Sequence, residues 1–132
     1  MFEGIDHIVI AVEDLDAAVA QYEAIFGQPV GRTGELPAAG FNQAFFEFGD
    51  TEVELVAPTS DEGPIANRVK NGGGVHLLAM RVDDVDVALA GMREKGVRLI
   101  GDPGEGNPVT GQVFVHPASS GGVLVQIVGK KD

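Results

Sequence analysis

The chain carries two copies of one pattern. A strand-like run, Asp6-His7-Ile8-Val9-Ile10-Ala11-Val12, leads into the helix signal Asp14-Leu15-Asp16, and Leu77-Leu78-Ala79-Met80-Arg81-Val82 leads into Asp83-Asp84-Val85-Asp86 in the second half. Setting Asp14 on Asp84 without gaps also matches Val12 to Val82, Asp16 to Asp86, Ala18 to Ala88 and Ala20 to Ala90. At 132 residues the chain holds one continuous core. The two copies therefore share a core or a sheet.

In each copy the strand is followed by apolar residues at helical spacing: Leu15, Val19, Tyr22 and Phe26, then Val85, Leu89 and Met92. Asp14 and Asp84 suit the N-cap, and Gly27 and Gly96 suit the stop. Short strand-like runs bounded by Gly, Pro and Asp follow at about 41–48 and 51–57, and again at about 111–116 and 122–128. A further short strand is expected near Val30 and another over 97–100. Pro64 to Lys70 reads as a linking helix, closed by Asn71-Gly72-Gly73-Gly74.

The predicted class is α+β: two βαβββ modules forming one cupped mixed sheet with helices on its outer face. Module one spans about 1–62, the linking helix about 63–73 and module two about 74–130, all within a single domain of residues 1–132. The concave face is then the natural site. Strand alternation sends Ile8, Ile10 and Val12 to the helix side and His7, Val9 and Ala11 to the cup, with Leu78, Met80 and Val82 behind and Leu77 and Ala79 in front. His76 is one residue out of phase, so it cannot replace Leu77 without a bulge.

The formal net charge of −11 opposes nucleic acid and anionic lipid surfaces, and no apolar run is long enough to cross a bilayer. Arg32, Lys70 and Arg98 are the local cations that could serve an anionic ligand such as a coenzyme A thioester. With no cysteine, disulfides and thiolate metal sites are ruled out. Met1-Phe2-Glu3-Gly4 has no basic segment followed by an apolar one, so a cytoplasmic location is expected. The expected partner is a small molecule.

Several stretches resemble the vicinal oxygen chelate (glyoxalase/bleomycin resistance/dioxygenase) superfamily, and within it the methylmalonyl-CoA epimerase family. They are Ile5-Asp6-His7-Ile8, Gly49-Asp50-Thr51-Glu52-Val53-Glu54-Leu55, Ser60 to Ala66, Arg81 to Asp86, Glu94-Lys95-Gly96-Val97-Arg98-Leu99, and His116-Pro117 followed by Gly121-Gly122-Val123-Leu124-Val125. The resemblance implies an isomerase of the epimerase or racemase type acting on a small carbonyl or acyl-CoA compound. It also implies a homodimer and one divalent ion (cobalt, manganese, zinc or nickel), with no other cofactor.

Carried onto this chain, the four metal positions are His7, Glu54, Leu77 and Gln126. Leucine has no lone pair and a neutral amide is a poor ligand for such ions, which leaves His7, Glu54 and Gln126 as an incomplete set. The carboxylates that move protons in the resembling enzymes fall here on Gln43 and Gln126, which do not titrate. Parity groups Gln43 with Phe45 and Glu47, Gln112 with Phe114 and His116, and Glu52 with Glu54. Glu54, Gln43, Gln126, Glu47 and His116 are therefore the catalytic candidates, and Phe45, Phe114, Gln112 and Leu77 the substrate-lining ones.

Two other readings stand beside the enzyme. One is a metal-free binding or sequestering protein, in which His7 and Glu54 form only a buried polar pair. The other is a metal-independent cyclase, lyase or isomerase of secondary metabolism using Glu47, Glu52 or His116 as base. Asp14, Asp16, Asp83 and Asp84 read as helix starts, and the glycines at 72–74 and 121–122 as linker and turn rather than a phosphate loop.

Overall fold

A computed structural model describes residues 1–130. In them, three α-helices accompany an eight-stranded, mixed, open sheet. The elements run β1 (Phe2–Ala11), α1 (Leu15–Phe26), β2 (Arg32–Leu36), β3 (Phe41–Phe48), β4 (Thr51–Pro58), α2 (Pro64–Lys70), β5 (Gly74–Val82), α3 (Val85–Glu94), β6 (Leu99–Ile100), β7 (Val113–Val115) and β8 (Val125–Val128). A 3-10 turn, Pro117–Ser119, lies between the last two strands. The α+β class and the two βαβββ modules follow the sequence pattern.

The chain forms two compact units: His7–His76, and Met1–Asp6 together with the chain from Leu77 onward. In the first, the strand order is β2-β3-β4-β1, with β1 parallel to β4 and β3 antiparallel to both β2 and β4. Helix α1 starts where the Asp14 carboxylate accepts the backbone N–H of Ala17 at 3.1 Å, and stops at Gly27 in the left-handed region, φ 68°. One face of the strands packs on it: Ala18, Ala44, Phe46 and Leu55 form the core, joined by Ile10, Val12, Leu15, Val19 and Phe26. Phe26 meets the edges of Phe46 and Phe48 at centroid distances of 5.3 and 5.0 Å.

The second unit repeats this plan with shorter strands, in the order β5-β8-β7-β6. Asp84 caps α3 through the N–H of Val87, and Val82, Val115 and Ile127 form the core with Val85, Ala88 and Met92. Two ion pairs within it are largely shielded. Arg81 Nη2 donates to Asp6 Oδ1 at 3.0 Å, and Arg93 grips both carboxylate oxygens of Asp102, its Nε lying 2.7 Å from Oδ2. The second clamp ties the loop after β6 to α3.

Two expectations shift. The strand near Val30 begins at Arg32 instead, because the Val30 N–H is taken by the Glu23 carboxylate at 2.9 Å. The last two strands are shorter than the alternation suggests. Gly101 adopts φ 82°, and a Cβ there would lie 2.3 Å from the Gln112 carbonyl oxygen, so the chain enters this region at glycine-only distance and Gln112 stays outside β7.

Candidate functional site

The face of the first unit turned away from α1 is set by strand register. Arg32 pairs with Phe45, Phe45 with Glu54, and Glu54 with Val9, so these four side chains form one row across β2, β3, β4 and β1. One step along, Glu47 pairs with Glu52 and Glu52 with His7. On the other side, Gly34 pairs with Gln43 and Gln43 with Val56. His7, Gln43, Phe45, Glu47, Glu52 and Glu54 therefore share the non-core face, as their parity predicts.

Glu54 is the buried carboxylate of this face, 9% exposed. Burial pushes its carboxyl above the ordinary carboxylate range, and the charge of Glu52 adds to the rise. His7 and Arg32 pull the other way. Gln43 lies over the glycine of the neighbouring strand, where a Cβ on Gly34 would stand 3.1 Å from its Nε2. The face thus offers one buried acid, one amide, one imidazole and the Phe45 ring.

Arg32 joins this group without having been a sequence candidate for catalysis. From the edge strand β2 it lays its guanidinium over Phe45, with Cζ 3.9 Å from the ring centroid. Its Nη1 donates to Glu47 Oε1 at 2.6 Å and to Glu52 Oε2. Glu47 is accordingly an ion-pair partner of Arg32. The signal that could have found it was the charge complement of Arg32 with Glu47 and Glu52, which is readable only once register is known.

In the second unit Gln126 pairs with Ala79 and with Phe114, and Phe114 with Ile100. Leu77, two residues before Ala79, shares its side of β5 and is buried. His76 lies within the same strand on the opposite side, with its imidazole held below the ordinary range by burial and by Arg68. Gln112 is exposed and immediately precedes β7. His116 caps the 3-10 turn, its Nδ1 accepting the Ala118 N–H at 3.0 Å.

The donor set does not fit a tightly held divalent ion. Leu77 stands at one implied metal position and Gln126 at another. Among the described residues no three His, Asp or Glu side chains come together as a metal-binding group. The chemistry available on the first unit's face is that of a shielded carboxylate beside an amide and an aromatic ring.

The sequence model of the Glyoxalase/Bleomycin resistance protein/Dioxygenase superfamily matches residues 6–114. The mitochondrial methylmalonyl-CoA epimerase of Bos taurus is 35% identical over 129 residues, covering 93% of this chain and 72% of that protein. The ethylmalonyl-CoA/methylmalonyl-CoA epimerase of Cereibacter sphaeroides is 34% identical over 135 residues, covering 96% and 98%. A solved structure of a Streptomyces coelicolor methylmalonyl-CoA epimerase variant in complex with 2-nitronate-propionyl-CoA superposes with a TM-score of 0.79 at 35% identity, covering all of both chains. Matches of this identity and coverage, on a fold with the same paired modules, mean that the chain belongs to the methylmalonyl-CoA epimerase family within the glyoxalase/bleomycin resistance/dioxygenase superfamily.

Proposed function

We propose that the protein is an isomerase of the epimerase type that moves the proton α to the carbonyl of a small acyl-CoA thioester. The observation that carries this reading is the placement of buried Glu54 on one face with Gln43, Phe45 and His7, in a chain related over its whole length to epimerases of acyl-CoA compounds. Removing an α-proton needs a carboxylate screened from water, a donor for the oxygen that gains charge, and an apolar wall. Glu54, the Gln43 amide and Phe45 supply these in turn.

Incubation with methylmalonyl-CoA in deuterium oxide, with and without added cobalt, tests the activity. Deuterium at the α-carbon is expected, and its absence under both conditions ends the epimerase reading. Leu77 and Gln126 favour one second reading, a metal-free binding protein; thioester binding without exchange would establish it. A cytoplasmic homodimer is the working form we infer, with exposed Phe2, Ile5 and Ile100 as apolar surface for association. Light scattering on the purified protein measures that state.

A further inference from the structure

Among the described residues Arg32 is the only arginine or lysine on the non-core face of β1, β2, β3 and β4. It does not lie along its own edge strand. To reach Glu52 its side chain crosses β3 to β4, and strands are spaced about 4.8 Å apart. The guanidinium therefore sits near the middle of the face, in the row that holds Phe45 and Glu54.

Its two hydrogen bonds to carboxylates both leave from Nη1, to Glu47 and to Glu52. The Nε and Nη2 N–H groups, which form the other edge of the planar fork, have no hydrogen-bond partner among the described residues, and the side chain is 48% exposed. A guanidinium fixed by two acids and a ring has little rotamer freedom left to lose when its open edge takes a ligand. The group that matches two parallel N–H donors is a planar carboxylate.

We propose that Arg32 is the specificity-determining residue that receives the free carboxylate of a malonyl-type acyl thioester on its Nε–Nη2 edge. This inference rests on the acyl-CoA isomerase reading. It makes the chain a discriminator between thioesters with and without an acid arm, in a protein whose net charge of −11 otherwise opposes anions. Glu47 and Glu52 act as positioning residues that aim the fork without touching substrate, and Phe45 supports the guanidinium on one face of its ring.

Calorimetric titration with methylmalonyl-CoA and with isobutyryl-CoA, which replaces the carboxylate by a methyl group, isolates the contact. The native chain is expected to prefer the acid by about tenfold or more, the worth of a charge-assisted hydrogen bond. Arg32→Met should bring the two affinities within about twofold to threefold of each other while leaving isobutyryl-CoA binding unchanged, an internal check that the variant is folded. Arg32→Lys, which keeps the charge and loses the fork, should fall between. Equal native affinities, a preference that survives Arg32→Met, or a variant that loses both ligands equally would each overturn the inference while the isomerase reading stands. Failure of the native chain to bind either thioester overturns both.

Discussion

Glu54 of β4 stands opposite Phe45 of β3, and through Phe45 it shares a row with Arg32 of β2. The pairing sets a buried acid beside an aromatic ring whose other neighbour is a cation stacked on it at 3.9 Å. Burial makes the Glu54 carboxyl hold its proton more strongly than one in water, against the opposite pull of His7 and Arg32, which suits it to exchange a proton with a weak carbon acid. Glu54→Gln should therefore reduce α-deuterium exchange by about 100-fold or more, read by mass spectrometry of the thioester.

The family resemblance implies a proton-transferring carboxylate at the place of Gln43, whose side chain lies over Gly34. Gln43→Glu should raise the exchange rate by about tenfold or more, because a titrating group would stand where an inert amide now does. An unchanged rate would show that Gln43 does not contact the reacting carbon.

Leu77 and Gln126 account for the missing half of the ligand set that the family resemblance implies. The double variant Leu77→His/Gln126→Glu should take up one divalent ion per chain, while the parent takes up none at stoichiometric level, by elemental analysis after dialysis. Equal uptake by the two proteins would contradict the assignment of those positions.

Asp102 is gripped by Arg93, which holds its carboxyl down at about 2, from an ordinary 3.8. Between those values the unfolded chain binds more protons than the native one, so stability rises with pH there. The contribution is complete above the ordinary value and lost as pH falls through about 2. Asp102→Asn should melt lower than the parent at pH 7, and the gap should close on acidification, by thermal melts across pH.

Phe46 is fully buried between α1 and the sheet, in edge contact with Phe26. Phe46→Ala should cost about 3–5 kcal/mol in urea unfolding, since this wall of the core cannot collapse around the lost ring. The non-core face should then lose its order along with β3.

Periodicity and capping residues located α1 and α3, and the Pro64 start and glycine stop located α2. Leu15, Val19, Tyr22 and Phe26 fall on one stripe because an α-helix returns every 3.6 residues, and Asp14 and Asp84 cap because their short carboxylates reach a free N–H. The side of the sheet on which His7 and Glu54 lie was equally legible, since pleating alternates without reference to any other strand. So were Leu77 and Gln126 as departures from the family's ligands, because a substitution is visible without coordinates.

What lay beyond the sequence was every relation that depends on register between strands. The sequence marks Arg32 only as one of three cations, with Lys70 and Arg98, that could serve an anionic ligand. Only the pairing of Arg32 with Phe45, and of Glu47 with Glu52, brings its guanidinium over the ring and between two acids. Gln112 is a second case, for the close approach of its carbonyl to Gly101, where only a glycine fits, joins two segments that local spacing does not connect. Local spacing carries information along the chain, whereas the partners of a strand and the reach of a long side chain are settled by packing between segments distant in sequence.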